Sequence, residues 1–308
     1  MKGTRRQYLM ALAGSGVAGV AGCSGGGTDT PTGGTETRTE TETAQPTETE
    51  APTSTPTEDD SSGSQQSMAV PRWTSWVPAD LVVADGYEVH AADVQRLRSD
   101  FPSDSDWNRA IQQRASGFGV DAADMTDMIE IVDSGGSTTV ITGTFDPEAV
   151  RSHLGFSSSQ TDSYQAFTVL GDSTAIGETA LVQGQYRSVL DTRFDSNPAL
   201  GTTDDDWRPL LSTLTGGTLV TAKPGYDGNA SFSTTPLRHG FVINAGSDGG
   251  SVLTEQFLFA SQSQATTVYD SDRETLSQQL ERTERTVRRL EQQGRRIVIV
   301  TEQDTFDI

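Results

Sequence analysis

The side chains able to carry chemistry are few and far apart. The chain holds three histidines, His90, His153 and His239, and a single cysteine, Cys23. Zinc-type sites need clustered His and Cys ligands, and this spacing forms no such cluster. His153 falls in a stretch that reads as helix, with no His or Glu partner in a metalloprotease arrangement. A serine hydrolase of the α/β type needs a Gly-x-Ser-x-Gly elbow, and "GSDGG" at 246–250 departs from it. Neither a Walker loop nor a Gly-x-Gly-x-x-Gly following a strand occurs. "SDSDW" at 103–107 and "TDDDW" at 203–207 offer carboxylate oxygens, but lack the turning glycine and distal acid of a calcium loop. Helix capping accounts for both more simply. Trp73 and Trp76, three apart, suit either a carbohydrate platform or a core edge. Asn229-Ala230-Ser231 is an N-glycosylation sequon in a Gly/Asp-rich loop. These residues predict no catalytic site, no metal and no cofactor.

Cys23 is different because of what precedes it. Lys2, Arg5 and Arg6 are followed by a mildly apolar run from Leu9 to Gly22. A spanning helix needs about 20 mostly apolar residues, so this run is too short and reads as a targeting segment. Thr4-Arg5-Arg6-Gln7-Tyr8-Leu9 resembles a twin-arginine export signal. Val20-Ala21-Gly22-Cys23 resembles a lipobox, where a signal peptidase cuts before a cysteine that carries lipid, its thiol being nucleophilic enough to become a thioether. These resemblances imply export through Arg5 and Arg6, lipidation of Cys23 and attachment to the outer side of a cell membrane. One acyl chain binds a bilayer only modestly, so firm anchoring implies a double-chain lipid.

The charge narrows the partners. The formal net charge is −21, with only two lysines, Lys2 and Lys223, against 20 arginines. From Met68 onward there are 34 acidic and 18 basic residues, a net charge of −16. A nucleic-acid partner needs a basic footprint, and none exists here; binding to an anionic lipid surface through charge is equally disfavoured. At molar salt the Debye length falls to about 3 Å, so dense carboxylates repel one another little. An acidic, lysine-poor exported chain with no cysteine after Cys23 resembles proteins of extreme halophiles. Together with the lipobox it resembles twin-arginine-exported lipoproteins of haloarchaea. That resemblance covers residues 1–67 by motif and the remainder by composition alone. It implies an extracellular, lipid-anchored protein, and with no catalytic motif in the sequence an interaction or envelope-structural role is expected rather than an enzyme. An extracellular solute- or carbohydrate-binding lipoprotein and a secreted hydrolase are the alternatives.

Three regions follow: a signal over 1–22, a tether over 23–67 and a domain over 68–308. Residues 28–67 hold 13 threonines, nine acids and four prolines, with Ala44 and Ala51 the only apolar side chains. Such a stretch buries too little surface to offset its ordering entropy, and is predicted to stay outside the fold.

The domain reads as α+β, with antiparallel or mixed sheet and packed helices. The ordered part is expected to begin near Val70, with a strand at Leu81–Val83. Hairpins are predicted at 128–145 and 241–259, each with alternating apolar residues around a Gly-Gly turn. Helices are predicted from Asp106, Asp146, Asp206 and Ser271, and strands near Ala166–Leu170 and Ile297–Thr301. A further strand pair and helix span Thr174 to Phe194. Helix, hairpin, helix and strand recur, which suggests an internal repeat, roughly 104–200 and 204–308. The spacing of Leu276, Leu280, Thr283, Val287 and Leu290 predicts one long final helix ended by Gly294.

Overall fold

The computed structural model describes residues 69–80, 87–133, 136–194, 196–202, 206–225, 232–247, 249–281 and 285–303. Arg5, Arg6, Cys23, the tether, Leu81–Val83, Asn229 and Thr283 lie outside them.

Twelve strands form one antiparallel sheet. In chain order they are β1 (Glu88–Asp93), β2 (Met125–Asp133), β3 (Gly136–Gly143), β4 (Thr161–Tyr164), β5 (Phe167–Leu170) and β6 (Thr174–Ile176). Then come β7 (Ala180–Gln183), β8 (Leu219–Pro224), β9 (Arg238–Ala245), β10 (Ser251–Leu258), β11 (Thr286–Gln293) and β12 (Arg296–Gln303). Six helices accompany them: α1 (Val94–Asp100), α2 (Asp106–Phe118), α3 (Pro147–His153), α4 (Tyr186–Arg193), α5 (Trp207–Leu211) and α6 (Gln262–Glu281). A 3-10 turn spans Arg72–Trp76. The fold is α+β, as the alternating patterns require.

Period-2 alternation sorts the strand residues onto two apolar faces. Val89, Ile129, Val140, Val182 and Val220 point to the first face, where the 3-10 turn, α4 and α5 cover them. Ala92, Met128, Ile141, Leu181 and Leu219 point to the second face, under α1, α2 and α3. Phe257, Ile297 and Ile299 share that second face farther out and pack against Ala265, Val268 and Leu280 of α6. Burial on both faces explains why β2 reads "MTDMIEIVD", apolar at consecutive positions rather than at alternate ones.

Local signals place the helices. The Ser105 hydroxyl accepts the Asn108 N–H at the start of α2, and Asp146 accepts from Glu148 and Ala149 at the start of α3, with Pro147 first in the helix. Gly119 ends α2 at φ 68, its N–H donating back to Ala115 and Ser116.

The strand order, β11-β12-β10-β9-β8-β1-β2-β3-β7-β6-β5-β4, shows what the repeat is. Outward from the central pair, β1-β2-β3-β7-β6 runs one way and β8-β9-β10-β12-β11 the other. In each direction a helix, α3 or α6, follows the third strand, and the chain then fills the outer position before the inner one. Two expected equivalences fail on this topology. The helix from Asp106 follows the first central strand, whereas the helix from Asp206 precedes its counterpart. The counterpart of Ile297–Thr301 is β7, not the strand at Ala166–Leu170, which belongs to the added β4–β5 hairpin. The two runs also share one continuous sheet.

The final helix differs as well. α6 begins at Gln262 and ends at Glu281, and Val287 and Leu290 belong to β11. A bulge between Val287 and Arg289 inserts one residue into this edge strand. The insertion places Val287 and Leu290, three apart, on the same sheet face, which imitates helical spacing. Gly294, at φ 57, makes the tight β11–β12 turn. The bulge, the charged Arg288 and Arg289, and the Tyr269 hydroxyl donated to the Leu290 carbonyl all obstruct pairing along this edge.

Gly119→Ala tests how tightly α2 is closed. An L-residue at this left-handed position costs about 1 kcal/mol, and its Cβ would also collide with the His153 ring. Denaturant unfolding at constant salt should show a loss of at least that size; an unchanged midpoint would refute the tight α2–α3 contact.

Candidate functional site

Register on the second face brings most of the buried charge together. Glu130 of β2 lies opposite His90 of β1, which lies opposite Thr221 of β8, which lies opposite Phe241 of β9 and then Glu255 of β10. One row over, Lys223 lies opposite His239, and His239 opposite Phe257. Thr139 of β3 continues the first row beyond Glu130. These side chains form a polar belt across six strands, between the helices α1–α3 and α6. His90, Glu130, Thr139, Thr221 and His239 are buried, and Arg114 reaches the belt from α2.

The belt's groups hold one another. Arg114 Nη2 donates to Thr139 Oγ1 at 3.0 Å and lies 3.8 Å from Glu130 Oε1. His90 Nδ1 is hydrogen-bonded to Thr221 Oγ1 at 3.0 Å, across the β1–β8 seam, and its Nε2 lies 3.7 Å from Glu88 Oε1. His239 Nε2 lies 3.8 Å from Glu255 Oε1, and its ring stacks on Phe257 with centroids 4.6 Å apart. Burial lowers the Arg114 pKa, against the pull of Glu130. Burial also pushes His90 down to about 4, with Lys223 acting the same way. A general base works best with a pKa near the ambient pH, so a neutral, buried His90 is poorly matched to proton transfer at pH 7. Its geometry suits a hydrogen-bonded strut instead.

A second charged group fastens the start of the domain. Asp93, the last residue of β1, and Asp127, the third of β2, are register partners. Arg72 donates to Asp127 Oδ1 from Nε at 3.1 Å and from Nη2 at 2.7 Å, and to Asp93 Oδ2 at 3.4 Å. The Thr142 hydroxyl donates to Asp127 Oδ2 at 3.0 Å. Burial nevertheless raises the Asp127 pKa; it outweighs Arg72 and Thr142, and Asp93 adds to it. Just beyond, Val77 is fully buried, its carbonyl accepts the Leu200 N–H at 2.8 Å, and the Ala79 N–H donates to Pro198 at 2.9 Å.

The residues singled out in the sequence are not gathered into one place. His90 and His239 share the belt, while His153 closes α3 beside Gly119. Trp73 is buried, and Trp76 is half-buried with the Arg193 guanidinium 5.1 Å from its ring centre. Ser105 caps α2, and Asp106 forms an ion pair with Arg109. Asp206 makes no side-chain cap; its carboxylate pairs with Arg295 at 2.7 Å. Sequence reasoning missed Glu130 and Arg114. The signal was present, since Glu130 is the one charge inside the apolar stretch "MIEIV".

The belt has a pH signature. His90 ionises near 6.5 when unfolded and near 4 when folded, so the unfolded chain binds the extra proton between those values. This contribution is complete above pH 6.5 and is lost as the pH falls toward 4, by about 3 kcal/mol. His90→Gln should flatten the fall in unfolding free energy over that window relative to wild type. Parallel curves would show that His90 is not the group responsible.

No protein-family model matches the chain, and no curated protein or solved structure matches it, so any functional reading rests on these residues themselves.

Proposed function

We propose that this chain is a lipid-anchored protein displayed on the outer side of a membrane, whose domain works by binding rather than by catalysis. The lipid on Cys23 supplies the membrane contact, the stretch to residue 67 is the tether, and nucleic acid is not a partner. The observation that supports this reading is how the domain begins. Within ten residues of Ala69, Arg72 is tied to two aspartates, Trp73 and Val77 are in the core, and Ala79 is bonded to Pro198. A domain held by its N-terminal end has to resist load there, and these fastenings lie on that path. Catalysis is the weaker reading because the belt's buried ionisable groups are engaged with one another or with a neighbouring hydroxyl.

An intact mass of the protein extracted from its native membrane tests the anchor. The expected species starts at Cys23 and carries the added mass of lipid. Cys23→Ser should remain uncleaved or leave the membrane fraction; a processed, membrane-bound Cys23→Ser chain would overturn the reading.

The charge makes a separate demand on conditions. With a net −16 from Met68 onward, self-repulsion grows as the screening length increases from about 3 Å at 1 M salt to about 8 Å at 0.15 M. The unfolding midpoint should therefore fall as salt is reduced across that range. Equal midpoints would count against a halophilic adaptation.

A further inference from the structure

We draw no further inference here: the strongest candidate, the cavity of about 390 Å³ at the start of α6 lined by Thr234, Ser261, Ser263, Gln264 and Thr267, rests on a helix N-terminus alone, with nothing else in the structure pointing to a ligand.

Discussion

The pairing of β1 with β8 makes one sheet out of two runs of strands. Each run turns outward from this seam and fills its outer strands in the same order, so every other pairing follows from where the seam sits. Four residue pairs hold it in register, Val89 with Ala222 through Ala92 with Leu219. On the second face the seam is crossed by the His90–Thr221 hydrogen bond. A slip of one residue would send Val89 and Ala91 to the second face and bring His90 under α4 and α5. It would also bury His90 without Thr221, and a buried polar group without its partner costs about 1–3 kcal/mol. The polar pair therefore specifies register at the point where the apolar residues, buried on both faces, discriminate least.

Charge follows the same logic at larger scale. In a domain with 34 acids and 18 bases, eight arginines among the described residues form ion pairs with carboxylates. Arg72 answers an aspartate pair that register forces together, and Arg114 answers a glutamate placed within an apolar strand. Arginine suits these places because its fork reaches two acceptors at once, as Arg72 does with Asp127 and Asp93.

Most of the local structure was legible in the sequence. Hairpins at 128–145 and 241–259, caps at Ser105 and Asp146, and the strand pair and helix from Thr174 are written in short-range patterns. The end of the chain misled because a bulge gives a strand the 3-residue spacing of a helix, and Val287 and Leu290 follow it. Equivalence of the two "DW" helices misled because similarity of local sequence carries no information on whether a helix precedes or follows its strand. The belt could not be read because it is made by register: His90, Glu130, Thr221 and Glu255 are spread over 165 positions and meet only when β2, β1, β8, β9 and β10 align. The lone glutamate in "MIEIV" announced a buried charge without naming its partner.

The first ordered turn is a single mechanical piece. Arg72 and Trp76 are four residues apart in one 3-10 turn, so the fastening to Asp127 and the stack with Arg193 belong to the same rigid piece. A tether pulling on Ala69 would load that piece directly. Force entering at Arg72 would pass into β1 and β2 through the aspartate pair. On this path the strength of attachment depends on Arg72 and its carboxylates, while the register of the sheet depends on His90 and Thr221. The fold thereby separates the group that must resist pulling from the group that must stay in place.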